Sequence, residues 1–159
     1  MISRHYAALL LIVGAVLAHR AARAQDAAQP TSFCGSVGVD DTLRPIPASL
    51  VPAAARLFSL RAPASYVQRT TVFRCMDDRV LVCNTGANLP CEKANTNRDL
   101  PGAIQYCSEH PDSSFIPMFV TGHNTIYRWR CEGTTADAGE PVERVDTRGF
   151  VARLWKPVG

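Results

Sequence analysis

The chain has 159 residues, with 17 Lys and Arg against 14 Asp and Glu and a formal net charge of +3. That excess lies in Arg4, Arg20 and Arg23, so residues 25–159 carry 14 basic and 14 acidic side chains. A balanced chain has no large positive field, which argues against nucleic acid or an anionic membrane surface as its main partner.

Residues 1–24 have the layout of a cleaved export signal. Arg4 stands in a short n-region, Ala7 to Ala18 are an apolar run of twelve residues, and Ala22-Arg23-Ala24 is the small-x-small pattern that export peptidases cut. Cleavage is expected after Ala24, with Ala18 as the alternative. A spanning helix needs roughly 20 apolar residues, and no second run follows, so no stable membrane insertion is expected after cleavage. The expected location is periplasmic or secreted. What remains suits one domain, with a loop-rich lead-in over 25–47 and a disulfide-stabilised α+β domain over 48–159.

All six cysteines (Cys34, Cys75, Cys83, Cys91, Cys107, Cys131) fall after the signal. An even number in an exported chain reads as disulfides. No pair has the C-x-x-C spacing of a zinc site, and no phosphate loop or nucleotide fingerprint appears, so neither metal nor cofactor is expected. Of the possible pairings, Cys91 with Cys107 is the expected one, because it would tie a polar loop to the helix after it.

In chain order, Phe33 to Pro47 mixes glycine and proline and reads as loop. Leu50 to Leu60 reads as a helix opened by Pro52, whose missing N–H costs nothing in a first turn, and stopped by Pro63. From Tyr66 the residues turn aromatic and β-branched. The runs ending at Cys75 and starting at Arg79 form a hairpin around Asp77 and Asp78, which tolerate the left-handed conformation. A two-residue turn places Cys75 opposite Val80 and Cys83 opposite Val72. The two cysteines then point to opposite faces and need different partners. Asn84 to Arg98 is a polar loop. Leu100 to His110 is a second helix, capped by Asp99 or Asn97, with Ile104 and Cys107 on its buried face. Phe115 to Val120 with Thr125 to Cys131, and Pro141 to Val145 with Phe150 to Trp155, read as two further hairpins. The expected fold is therefore α+β, a mainly antiparallel sheet of about six strands with two helices.

The segments FRCMDDRVLVCNTGANLPCEKANTNR (73–98) and FIPMFVTGHNTIYRWRC (115–131) resemble a family of small secreted cysteine-containing proteins of proteobacteria. That family is typified by an R-C-M-D hairpin tip, a G-A-N-L-P-C-x-K-A-N loop and a V-T-G-H-x-T-x-Y-x-W-R-C segment. The resemblance covers most of 66–156 and implies export and a disulfide-bearing fold. It transfers no activity and no functional residue.

Three constellations could carry function. Asn88, Lys93, Asn95, Asn97 and Arg98 set amides beside two cations, suited to a sugar hydroxyl or a carboxylate, although such asparagines can instead satisfy the loop's own backbone. His123 sits in a turn and could act as a base, with Ser113, Ser114, Asp112 and Asp146 as the conceivable partners, but no catalytic signature fixes them near it. Alternation places Tyr127 and Trp129 on one strand face, as core or as an aromatic platform, and Arg128 and Arg130 on the other, with Glu140 or Glu143 as cross-strand partners. The expected function is a non-catalytic exported binding module for an envelope protein or glycan, of the kind that includes inhibitors. The alternative is a small secreted hydrolase using His123.

Overall fold

The computed structural model describes residues 30–86 and 90–159. Residues 1–24, expected as an export signal, residues 25–29 of the expected lead-in, and Asn88 lie outside the described residues. The centre of the domain is the hairpin of β2 (Thr71–Met76) and β3 (Arg79–Asn84), with Met76 opposite Arg79, Cys75 opposite Val80 and Val72 opposite Cys83. Asp77 and Asp78 have φ of 53° and 60°, the doubly left-handed turn that matches the twist of paired strands. This is the register expected from the sequence. Phe73, Cys75, Val80 and Val82 enter one apolar cluster, while Cys83 enters a second, with Val72 and Leu81 packed against it. At the open end, Asn84 Nδ2 donates to Thr70 Oγ1 (2.8 Å) and Thr71 Oγ1 (2.9 Å).

The sheet is antiparallel, in the order β1-β2-β3-β6, with β1 at Asp40–Pro45 and β6 at Lys156–Pro157. Segment 33–47, expected as loop, instead holds the helix α1 (30–37) and the edge strand β1. Cys34 bonds Cys75 and so fixes α1 beside β2. Pro45 is compatible with a strand because β1 lies at the sheet's edge. Pro52 does open α2 (Val51–Leu57), which ends before Ser59, at φ 54°. Tyr66 to Thr70 is not strand but part of α3 (Ala64–Thr70). Pro63, at φ −55° and ψ 146°, caps α3, so its Val67 reaches the core from a helix rather than a strand. With five helices in all, the described residues hold more helix than expected, within the same α+β class.

The opposite face of the sheet is covered by the C-terminal segment, through Phe150, Val151, Leu154 and Trp155. A third apolar cluster joins α4 (Pro101–Glu109) to β4 (Arg130–Glu132) and β5 (Thr135–Asp137), around Ala103, Cys107, Ile116, Trp129 and Cys131. Pro101 opens α4 as expected, but its cap position is Leu100, with no side-chain cap bond. Ala103 rather than Ile104 accompanies Cys107 on the buried face, and Ile104 is half exposed. Phe115 to Val120 is not a strand either: Pro117 caps a single helical turn, α5 (Met118–Thr121), ended by Gly122 at φ +87°. A Cβ at Gly122 would meet Asn124 Oδ1 at 3.0 Å, so this turn requires glycine. The last expected hairpin is reduced to a bridge between Val145 and Val151, followed by a 3₁₀ turn at Ala152–Leu154.

All six cysteines are paired, as Cys34–Cys75, Cys83–Cys91 and Cys107–Cys131. The expected bond between Cys91 and Cys107 is therefore replaced. Cys83 faces the second apolar cluster, where it meets Cys91, and Cys107 is drawn to β4 by the packing of α4. Three disulfides fit a non-cytoplasmic protein. Among the described residues, no helix is long and apolar enough to cross a membrane.

Candidate functional site

The polar loop is held down by the groups that made it a candidate. Asn95 Oδ1 accepts the Asn97 N–H, and Asn97 Oδ1 accepts the Asp99 N–H, both at 2.9 Å. These are Asx turns, the local use of asparagine that needs no ligand. Lys93 pairs with Asp41 at 2.8 Å, and Arg148 grips the same carboxylate. The Arg148 hydrogen bonds hold the Asp41 carboxyl below its ordinary range, with Lys93 adding to the effect and partial burial opposing it. Arg98 lies over the Tyr127 ring at 4.6 Å and donates to the Gly139 carbonyl at 2.9 Å. Tyr127 OH returns a bond to the Thr96 carbonyl, and the Asn95 N–H donates to the Asn124 carbonyl. The loop thus braces residues 124–127 from outside.

That braced segment forms one wall of an apolar cleft of about 540 Å³. Phe115, Pro117 and Met118 line its other side, Ile116 and Trp129 its floor, and Val142, Val151 and Leu154 its end. The floor is rigid: the Ile116 N–H donates to the Trp129 carbonyl, and Trp129 Nε1–H donates to Thr125 Oγ1, both at 2.9 Å. The Val142 N–H donates to the Ile126 carbonyl at 2.8 Å, fixing the far wall. Trp129 is only 2% exposed, whereas Phe115, Met118 and Val142 are 60%, 51% and 56% exposed. Phe119, on the outer side of α5, is exposed as well. Side chains this apolar cost free energy in water, and three of them, Phe115, Met118 and Val142, gathered around one concavity mark a contact surface.

The polar rim consists of His123, Arg128, Glu143 and Arg153. Arg153 Nε donates to both Glu143 carboxylate oxygens at 2.8 Å, and that bonding raises the guanidinium pKa further. Glu143 therefore pairs with Arg153 rather than across the strands with Arg128 or Arg130; Arg130 is held by Glu132 (2.7 Å) and Asp137 (2.8 Å). His123 is exposed and makes no hydrogen bond or ion pair among the described residues. Three of its four conceivable partners are engaged elsewhere: Asp112 accepts the Gly133 N–H, Asp146 holds Arg74, and Ser113 donates to the Phe115 carbonyl; Ser114 is exposed and is not hydrogen-bonded to His123.

Of the sequence candidates, His123 and Trp129 are thus brought together at the cleft, while Lys93, Asn95, Asn97 and Arg98 stand behind its wall. Sequence reasoning missed Phe115, Met118 and Val142, because Phe115 to Val120 and Pro141 to Val145 read as hairpin strands. Pro117 inside the first of these was the available signal, since proline removes a strand's backbone donor. Compared with family models, curated proteins and solved structures, the chain matches none.

Proposed function

We propose that the protein is a non-catalytic binding module of the periplasm or the extracellular space, and that its cleft docks a segment of an envelope protein. The observation that carries this reading is the open apolar concavity flanked by exposed Phe115, Met118 and Val142. The export-signal layout of residues 1–24 and the three disulfides support the compartment. A protein segment suits the cleft better than a glycan does. Trp129, the ring expected as a sugar platform, is buried and its N–H is engaged by Thr125, and the exposed lining is mixed aliphatic and aromatic rather than a flat ring platform. The hydrolase reading is less favoured, since among the described residues no acid or hydroxyl is hydrogen-bonded to His123. An inhibitor gripping a loop of an envelope-attacking enzyme is one form such a module takes, an analogy of class alone.

Photo-crosslinking tests the proposal. A benzophenone side chain at position 118 should yield one discrete adduct in intact envelopes. A probe at Arg79, on the hairpin, should not, and Val142→Arg should abolish the position-118 adduct. Equal adducts from both positions, or an adduct that survives Val142→Arg, would refute docking in the cleft.

A further inference from the structure

We infer that the cleft reads a carboxylate adjoining an apolar side chain, with Arg128 as the residue that pairs with it. This rests on the docking reading above and narrows the occupant to an acidic, apolar-bearing segment of a partner protein. The argument is one of charge left over. Around the cleft, Arg153 is committed to Glu143, Arg98 to Gly139 and the Tyr127 ring, and Arg130 to Glu132 and Asp137. Lys93 and Arg148 share Asp41. Arg128 lines the cleft, is exposed, and makes no side-chain hydrogen bond or ion pair among the described residues. The carboxylate of the rim, Glu143, is neutralised by Arg153, so the cleft presents an uncompensated guanidinium beside an apolar wall.

A guanidinium is a planar fork matched to a carboxylate, and its pairing strengthens when an apolar contact beside it excludes water. The backbone that carries Arg128 is also fixed. Its neighbours Tyr127 and Trp129 are both hydrogen-bonded, and a Cβ at Gly139 would lie 3.0 Å from the Arg128 carbonyl. Gly139, at φ +58°, is therefore packed directly against residue 128. A side chain rising from so constrained a base loses less freedom on binding than one from a loose loop. Charge and shape together favour an occupant with a bulky apolar group next to an acid, over a neutral apolar or a basic segment.

Two capped tetrapeptides test this, acetyl-Gly-Phe-Glu-Gly-amide and its Gln counterpart, titrated into the oxidised protein and followed by the Trp129 indole and Val142 amide resonances. Both should shift these signals, with the Glu peptide binding about fivefold tighter, the upper range for an exposed ion pair. Arg128→Gln should bring the Glu peptide down to the level of the Gln peptide and leave the latter unchanged. Equal binding of the two peptides to the wild type overturns the inference while leaving apolar docking intact. A Glu preference that persists in Arg128→Gln assigns the carboxylate to another cation and overturns it too. If neither peptide moves the reporters, the docking reading falls and this inference with it.

Discussion

Arg74, in the middle of β2, is fully buried and forms an ion pair with Asp146, in the turn that precedes Phe150. Its guanidinium lies over the rings of Phe150 (4.2 Å) and Trp155 (4.6 Å). Burial pulls the Arg74 pKa below its ordinary value, and Asp146 opposes that shift. The other oxygen of Asp146 accepts the N–H groups of Arg148 and Phe150. One carboxylate thus closes a turn and neutralises a charge in the core, joining the hairpin to the segment that ends the cleft with Val151 and Leu154.

Removing one member of a buried ion pair leaves the other uncompensated, at about 3–5 kcal/mol. Asp146→Asn keeps the turn's acceptor and strands the Arg74 charge, so it should cost an amount in that range. Arg74→Met removes the charge, replaces the cation–π contacts with Phe150 and Trp155 by sulfur–aromatic ones, and leaves an Asp146 that is 13% exposed. It should cost less. Urea midpoints decide the order, and an Arg74→Met variant less stable than Asp146→Asn would contradict the account.

The disulfides should differ in worth. In the chain-entropy view a longer closed loop gains more, so Cys34–Cys75, with a sequence separation of 41, should contribute about 4 kcal/mol and Cys83–Cys91, with a separation of 8, about 2.5. Paired Cys→Ala variants measured by denaturation check the order. Mass mapping of unreduced peptides should return the three observed pairs and no alkylatable thiol, and Cys91 linked to Cys107 would overturn the pairing.

Arg98→Ala should lower stability by about 1 kcal/mol through the lost stacking and hydrogen bond, and should shift the Tyr127 and Gly139 amide resonances. Resonance changes confined to the polar loop would show that it does not brace the cleft wall.

Acid should destabilise the β1 edge late. The Arg44 hydrogen bond, with those from Thr42, holds Asp40 down to about 2, and Arg148 with Lys93 lowers Asp41. Carboxylates with depressed folded pKa values contribute fully above the unfolded value of 3.8, and the contribution disappears as pH falls through the folded one. Carboxyl NMR titration should find Asp40 still ionised at pH 3, and a midpoint near 3.8 would remove this contribution.

The hairpin was legible in the sequence because alternation and two turn aspartates act locally, and together they set the opposite facing of Cys75 and Cys83. Tyr66 to Thr70 was not, because Pro63 and tertiary packing of Val67 outweigh the β preference of these side chains. The cleft was legible only at His123 and Trp129. Its rim depends on Phe115, Met118 and Val142 remaining exposed, which hydrophobicity alone assigns to the core. Contacts across the fold, such as the Arg98 hydrogen bond to the Gly139 carbonyl over 41 positions, have no local signature at all.

The most direct measurement compares capture of the crosslinked partner by Met118→Glu and Val142→Arg, in the cleft, with capture by Lys93→Ala, in the polar loop. All three sites are exposed, so stability should change by only about 0.5 kcal/mol. The account predicts that both cleft variants lose partner affinity by about tenfold or more, one buried apolar anchor being worth at least about 1.4 kcal/mol, while Lys93→Ala binds as the wild type does. Retained binding in the cleft variants with loss in Lys93→Ala would place the site on the loop and contradict it.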